Sequence, residues 1–218
     1  RDYLYRHRCV DLQVNPASLD RFVKRSRIIS SLRSYLDSNG FLEVETPVLQ
    51  PLYGGAAAEP FETMYESMNQ QFYLRIATEL YLKRLIAGGI DRVYELGKDF
   101  RNEGVDRTHS PEFTMLELYE AFADYSVMMN RFEEMIRTAA DAAGHSGTVV
   151  YQGTEFDLTP PFRRIGFMNS LRDASGEDLF SWEPEDLSRL MSEKGVISRA
   201  TDRIAMLDKL FDNFVADR

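Results

Sequence analysis

Two segments near the middle of the chain, 100–104 (FRNEG) and 111–119 (PEFTMLELY), constrain its fold more than any other part. Read as two strands of a hairpin, they sort by parity, because the side chains of a strand alternate between its two faces. Arg101 and Glu103 share one face of the first strand. One face of the second strand carries Phe113, Met115, Glu117 and Tyr119, and the opposite face carries Thr114, Leu116 and Leu118. The face with Thr114, Leu116 and Leu118 is typical of a core. The face that begins with Phe113 gathers charges around aromatic rings.

An amphipathic hairpin with a solvated, salt-bridged face is the alternative interpretation of this pattern. Phe113, Met115 and Tyr119 lie among the charges, however, and a solvated face would not favour three large side chains of that kind. Buried charges are tolerated mainly when they pair with each other or with a ligand. We therefore predict that this face of the hairpin forms a binding site.

Composition limits the classes of protein to consider. With 218 residues and 44% hydrophobic content, the chain can bury a sizeable core and is expected to form one globular domain. A net charge of -9 argues against the whole chain as an electrostatic nucleic-acid binder. Cys9 is the single cysteine, which excludes an internal disulfide and favours a cytoplasmic location. No apolar run approaches the roughly 20 residues that span a bilayer, so no membrane partner is expected.

Hydrophobic periodicity predicts the main helices and strands. Helices are expected at 20–39, at 78–87, after Asp124, from Pro184 to Gly195, and after a cap at Thr201 or Asp202. The last helix is expected to bury Ile204, Leu207, Leu210, Phe211 and Phe214. Strands are expected at 41–47 and 93–100, and a further strand or a hairpin at 149–158. Strands flanked by helices, without regular alternation, indicate an α+β fold on a mostly antiparallel sheet.

Several segments, in order along the chain, resemble the lysyl-tRNA synthetases, a family of class II aminoacyl-tRNA synthetases. They are GGAAA at 54–58, YLRIATELYLKRL at 73–85, FRNE at 100–103 and EFTMLELY at 112–119. The resemblance covers the whole chain, 1–218, as part of a class II catalytic domain. It implies a first motif at about 20–47, which forms a homodimer interface, and a second at about 99–119. Periodicity alone favours an ordinary amphipathic helix packed on its own sheet for the first of these two segments, and only the resemblance favours the dimer interface.

The resemblance implies a lysine–tRNA ligase, which activates lysine with ATP to lysyl-adenylate and transfers the lysyl group to tRNA(Lys). Arg101 would be the catalytic cation, because a guanidinium can bridge the lysine carboxylate and the α-phosphate through its forked donors. Phe113 would stack on adenine, Glu103 would accept a hydrogen bond from its amine, and His109 would reach the outer phosphates. No protein base is required, since the substrate carboxylate is itself the nucleophile.

Lysine carries two ammonium groups, and burying either one unpaired is costly. The resemblance assigns the α-amino group to Glu79 and the Gly55 backbone, and the side-chain ammonium to Glu117 and Tyr119. Leucine or methionine in the same pocket would leave Glu117 desolvated and unpaired, so a site of this kind rejects them.

The chain departs from the family pattern in three respects. Glu59 stands where the family usually has an arginine, and Thr108 separates Arg107 from His109. The third motif, and the acids that hold Mg2+, are expected beyond Arg218, so no metal ligand is assigned within the chain. The anticodon-binding barrel is also missing, and the first residue is Arg rather than Met. We therefore expect a C-terminally truncated segment that is inactive by itself.

Two other functions stay open. One is a paralogue that aminoacylates a protein or another acceptor, although the GGAAA run at 54–58 favours the tRNA enzyme. The other is a non-catalytic binding or regulatory module that has kept the fold.

Overall fold

The structure is a computed structural model that describes residues 4, 6–145, 147–198 and 200–216. These residues belong to two compact units, 1–161 and 162–218. The helices described in the first unit are α1 (Arg8–Val14), α2 (Pro16–Ser38), α3 (Glu79–Ala87) and α4 (Tyr125–Ala142). None of the helices among the described residues is long and apolar enough to cross a membrane.

The strands of the first unit form two three-stranded sheets and a separate hairpin. They are β1 (Leu42–Glu43), β2 (Leu49–Gln50), β3 (Glu62–Tyr65), β4 (Gln70–Leu74), β5 (Arg92–Phe100), β6 (Glu112–Glu120), β7 (Thr148–Tyr151) and β8 (Thr154–Asp157). The first sheet has the order β1-β5-β6, and the second has the order β2-β4-β3. Only the β1–β5 pair is parallel. The expected α+β fold with mostly antiparallel sheets is confirmed.

One face of the β5–β6 pair forms the core of the first unit. Tyr94 of β5 is fully buried with Leu36 of α2 and with Phe41, and Leu116 and Leu118 of β6 pack against this cluster. The parity argument therefore identified the core face of β6 correctly for both leucines. Thr114, the third member of that face, is exposed and outside the core. Its hydroxyl accepts a hydrogen bond from Arg25 of α2 at 3.0 Å.

Local sequence signals correctly predicted most of the helices and strands of the first unit. The Asp124 carboxylate accepts hydrogen bonds from the N–H groups of Ser126 and Val127, as expected of the residue that caps α4. The strand predicted at 41–47 is wrong beyond Glu43. The Thr46 N–H bonds to the Glu95 carboxylate instead of to a neighbouring strand, and Pro47 has no N–H to offer.

The second unit is helical where the structure describes it. It contains α5 (Phe167–Ser175), α6 (Pro184–Glu193) and α7 (Arg203–Phe211), followed by a wide helical turn, Asp212–Ala216. The Asp202 carboxylate caps α7 by accepting from the Ala205 N–H at 2.9 Å. Leu207, Leu210 and Phe214 are buried as predicted, whereas Ile204 is 77% exposed and its assignment to the core is wrong. Helix α5 was not predicted, because Gly166 precedes it and supplies no side-chain cap.

A buried cation, Arg75, joins the two sheets of the first unit. It follows β4, and its backbone N–H donates to the Val48 carbonyl while its own carbonyl accepts from the Phe100 N–H. Its guanidinium is 2% exposed, forms an ion pair with Glu95 of β5 and donates to the carbonyls of Lys98 and Thr46. The side chain and the backbone of this one residue therefore connect β5 to the second sheet.

Gly97 of β5 makes room for that guanidinium. A β-carbon at this position would overlap Nη2 of Arg75 and would lie 3.5 Å from Oε1 of Glu95. Strand interiors otherwise disfavour glycine, and a common reason to find one there is the close approach of another group.

We expect Gly97→Ala to destabilise the protein by roughly 3–5 kcal/mol, because displacing Arg75 disrupts a buried ion pair. Urea unfolding measures this change. Gly104→Ala is the matched control, since a β-carbon there meets no atom within 4 Å. Equal stability of the two variants would show that the Arg75 network contributes little to the fold.

Candidate active site

The face of the β5–β6 hairpin opposite the core carries most of the predicted site. In the observed register Glu95 of β5 lies opposite Glu117 of β6, and Asp99 lies opposite Phe113. Arg101 comes directly after β5 and extends the pairing by one bond, from its N–H to the Pro111 carbonyl at 2.9 Å. Its side chain therefore follows those of Glu95 and Asp99 along the same face.

Glu103 is not on the strand, and its predicted place on a strand face with Arg101 is wrong. Beyond Arg101 the chain leaves β6, because the Asn102 N–H bonds to the Glu59 carbonyl at 2.8 Å. The Glu59 N–H in turn lies 3.4 Å from Oε1 of Glu103. Glu103 thus reaches the site from a loop that the segment around Glu59 holds in place, while Glu59 itself is exposed.

A cavity of about 260 Å³ opens beside the hairpin. Its lining is Arg101, Glu103, Gly104, Thr108, His109, Ser110 and Phe113. All four residues predicted to contact ATP are in this lining. The guanidinium carbon of Arg101 lies 5.1 Å from the centre of the Phe113 ring, within the range of a cation–π contact. The structure therefore gathers a cation, an aromatic ring, a carboxylate and an imidazole around one opening.

Asp106 organises the loop that carries His109. Its carboxylate accepts from the N–H groups of Thr108 and His109, at 2.7 and 2.8 Å, and these bonds contribute to holding the Asp106 pKa well below its usual range. The imidazole Nδ1 of His109 lies 2.8 Å from Oδ2 of the same carboxylate. Thr108 thus has a role in the loop turn, and Arg107 is exposed.

The residues predicted to bind lysine form a second group around Glu117. Oε1 of Glu117 lies 3.4 Å from the Thr78 N–H at the start of α3, and Oε2 lies 3.4 Å from the Tyr119 hydroxyl. Burial, together with the charges of Glu117 and Glu79, raises the Tyr119 pKa. Glu79, the first residue of α3, is ion-paired with Lys83 at 2.6 Å. Three acidic or phenolic groups therefore share one region.

Gly55 lies against Glu79, as its predicted role requires. Its φ of +91° is a left-handed conformation that favours glycine, and a β-carbon there would lie 2.9 Å from Cβ of Glu79 and 3.3 Å from Cβ of Ala77. The loop that contains Gly55 can therefore pack directly on the start of α3.

Sequence reasoning missed Arg75, Glu95 and Asp99, which lie beneath the site. Asp99 is fully buried, and burial raises its pKa from 3.8 to about 6. The value of about 6 is a net result, because the charges of Arg75 and Arg101 lower this pKa while those of Glu117 and Glu95 add to the effect of burial. The parity rule applied to Arg101 would have found Glu95 and Asp99, because both precede it by an even number of residues on the same strand.

Within the part of the chain that the structure describes, no group of three or more His, Cys, Asp or Glu side chains could hold a metal ion.

Comparison with known proteins decides the family. The family described as class II tRNA synthetases (D, K and N) matches residues 1–207. The chain belongs to this family. The class II assignment accounts for the α+β fold and for the motifs that carry the site.

Relatives of this class II synthetase chain include three bacterial lysine–tRNA ligases. That of Chloroflexus aurantiacus is 50% identical over 213 residues, which is 97% of this chain and 43% of the relative. That of Syntrophomonas wolfei is 46% identical over 217 residues, 98% of this chain and 44% of the relative. That of Clostridium perfringens is 46% identical over 222 residues, 100% of this chain and 44% of the relative. The chain thus spans less than half the length of the relatives it matches.

Asp99 makes the stability of the first unit depend on pH. Its raised pKa means that the folded state favours the protonated acid. The stability that protonated Asp99 contributes to the fold is therefore fully present below about pH 3.8 and is lost as the pH rises through about 6. We expect Asp99→Asn, which cannot ionise, to have a higher Tm than the wild type near neutral pH. The difference should shrink at about pH 5, where folded Asp99 is mostly protonated.

Glu120→Gln is the control for removal of a carboxylate charge. Hydrogen bonds from Arg131 hold the Glu120 pKa below its usual range, so this variant should have a lower Tm near neutral pH. Thermal unfolding at the two pH values measures both effects. A lower Tm for Asp99→Asn at neutral pH would show that the ion pair with Arg75 outweighs the cost of burying the charge.

Proposed function

We propose that the chain carries the lysine-activating site of a lysine–tRNA ligase, which forms lysyl-adenylate and transfers the lysyl group to tRNA(Lys). The observation that carries this proposal is the position of Arg101. It lines the cavity with Phe113, and its side chain continues the face of the hairpin that also carries Glu117. One cation is therefore adjacent both to a cavity suited to ATP and to an acidic pocket suited to an amino acid with two ammonium groups.

Arg101 is the catalytic residue of the proposed reaction. A lysine carboxylate oxygen attacks the α-phosphorus of ATP, a new P–O bond forms, and the bond to the pyrophosphate leaving group breaks. Negative charge builds on the α-phosphoryl oxygens during this step. A guanidinium with forked donors can contact the carboxylate and a phosphoryl oxygen together, so it both aligns the reactants and stabilises the transition state.

The other lining residues hold the nucleotide. Phe113 offers a flat apolar surface for adenine, Glu103 accepts from its exocyclic amine, and His109 reaches toward the outer phosphates. The bond between His109 and Asp106 favours a fixed ring orientation in which Nε2 is free to meet a phosphate oxygen. Mg2+ would accompany the ATP phosphates.

The acidic group accounts for the choice of lysine. Glu79 and the Gly55 backbone receive the α-amino group, and Glu117 with Tyr119 receives the side-chain ammonium. Arg101 binds the carboxylate. Each charged group of the lysine substrate is thus paired with one set of residues.

We also propose that the protein forms a homodimer through the first-motif region. Large apolar side chains are exposed in this region and directly beside it, namely Leu19, Phe22, Val23, Leu42, Val48 and Leu49. We propose a cytoplasmic location, in keeping with the single exposed cysteine, Cys9.

The test of the proposed function is amino-acid-dependent exchange of pyrophosphate into ATP by the full-length gene product. Lysine should support exchange, and aspartate and asparagine, the other substrates named in the family description, should not. Charging of tRNA(Lys) is measured in parallel. Exchange with lysine but without tRNA charging would favour a paralogue with another acceptor, and no exchange at all would favour a binding module.

We expect Arg101→Ala to lower kcat for exchange by a factor on the order of 100 to 1,000, because its charge is needed most in the transition state. Phe113→Ala should instead raise KM for ATP, by an amount that reflects about 1–3 kcal/mol of stacking. Phe122→Ala, a change at an exposed ring outside the cavity lining, is the control. If Arg101→Ala changed KM alone, the transition-state role would be wrong.

We expect Glu117→Gln to reduce kcat/KM for lysine by about 10- to 100-fold, as for loss of one charge-assisted hydrogen bond of about 1.5–3 kcal/mol. Activation of norleucine, which lacks the ammonium, should change much less. Glu112→Gln is the matched control, since Glu112 is on the same strand, faces away from the site and is exposed. An equal decline with both substrates would mean that Glu117 supports the fold or the adenylate rather than reading the side chain.

A further inference from the structure

Asp99 is a buried acid that neither the fold nor the proposed mechanism accounts for. Neither of its carboxylate oxygens accepts a hydrogen bond from the residues that the structure describes. Oδ1 lies 3.1 Å from Nε of Arg75, but the N–H of that nitrogen is directed to the Lys98 carbonyl. A fully buried carboxylate with only an ion-pair contact is costly, and such a group calls for a specific explanation.

A second unsatisfied group lies on the same strand face. Nε of Arg101 is buried, and no partner for it is found in the described ranges. Arg101 follows Asp99 by two residues, so their side chains point to the same side of the hairpin. The charge of Arg101 also lowers the Asp99 pKa, which indicates that the two groups are electrostatically coupled. An unsatisfied acceptor and an unsatisfied donor of opposite charge are therefore neighbours.

Arg75 does not need Asp99 as its counter-charge. The Arg75 guanidinium is already paired with Glu95 and donates to two backbone carbonyls. Four charged groups act on Asp99, and two of them, Glu95 and Glu117, repel its ionised form. An asparagine in this place would avoid that repulsion, so an acid that costs stability here fits a functional role better than a structural one.

We propose that Asp99 is a positioning residue for Arg101, whose guanidinium it orients toward the substrate carboxylate and the α-phosphate. The inference rests on the proposed function of Arg101. Asp99 is fully buried and so has no surface with which to contact a substrate, and in this proposal it acts only through the arginine.

Arg101 must leave its contact with Phe113 to reach the orientation proposed for it. Its guanidinium lies over the ring of Phe113, 5.1 Å from the ring centre, and Phe113 is the surface proposed for adenine. Asp99 is directly opposite Phe113 in the strand register. In the proposed working position, the guanidinium leaves the ring and engages the Asp99 carboxylate. Adenine binding on Phe113 and engagement of Arg101 by Asp99 then favour each other.

The test is lysine-dependent pyrophosphate exchange by the full-length gene product and its Asp99→Asn variant. We expect the variant to lose kcat by about 10- to 100-fold, the equivalent of one charge-assisted hydrogen bond. The KM for lysine should change much less. In the wild type, kcat should rise with pH around the Asp99 pKa of about 6, and this step should be absent from the variant. Glu120→Gln, which removes a carboxylate bonded to Arg131 and Arg92, should keep the wild-type profile.

A double-mutant cycle with Arg101→Ala separates positioning from a general effect on the fold. If Asp99 acts through Arg101, the double variant should be no slower than Arg101→Ala alone. The proposal would be overturned if the kcat losses of the two single variants multiplied in the double variant. It would also be overturned if Asp99→Asn kept the wild-type kcat and pH profile. Both comparisons require an active wild type. A wild type that exchanges no pyrophosphate with lysine would instead overturn the proposed function, and this role of Asp99 with it.

Discussion

The buried guanidinium of Arg75 is the interaction on which the rest of the first unit depends. It forms an ion pair with Glu95 of one sheet while its own backbone continues the other, and Gly97 leaves the space that it occupies. A buried charge is tolerated only where its donors are satisfied, which is why so many acceptors converge on one side chain. The same arrangement fixes β5, and hence the place where Arg101 leaves the sheet.

Charge is distributed unevenly around the site. Asp99, Glu95 and Glu117 lie near two arginines. The pKa of Asp99 is raised chiefly because its charge is buried, and the charges of Glu117 and Glu95 add to this while Arg75 and Arg101 lower the pKa. A cationic substrate near Glu117 would reduce the repulsion among these acids, whereas a neutral one would leave it. A neutral core of the same shape would therefore be more stable than this site, as is common where residues are kept for binding rather than folding.

The sequence predicts this fold and site where a local rule applies, and fails where partners are distant along the chain. Parity placed Glu117, Tyr119 and Leu116 on the correct faces, and the cap at Asp124 is visible in a few residues. Glu103 was misplaced, because its position depends on a bond between Asn102 and Glu59, some 40 residues apart. Arg75 was overlooked for the same reason. Nothing local distinguishes a buried arginine from a solvated one, since burial is set by the partners that tertiary contacts bring to it.

The two acids proposed to bind lysine differ in a way that assigns them different tasks. Glu79 is already paired with Lys83, one helical turn away, in a contact that is partly exposed on both sides. Pairs of this kind contribute only about 0.3–0.5 kcal/mol, so an α-amino group can replace Lys83 at little cost. Glu117 has no such cation within ion-pair distance in the described part of the chain, and only two long contacts, from Thr78 and Tyr119, reach it. An unpaired, half-buried carboxylate gains most from a substrate ammonium and loses most without one, which supports the proposal that Glu117 rather than Glu79 selects the lysine side chain.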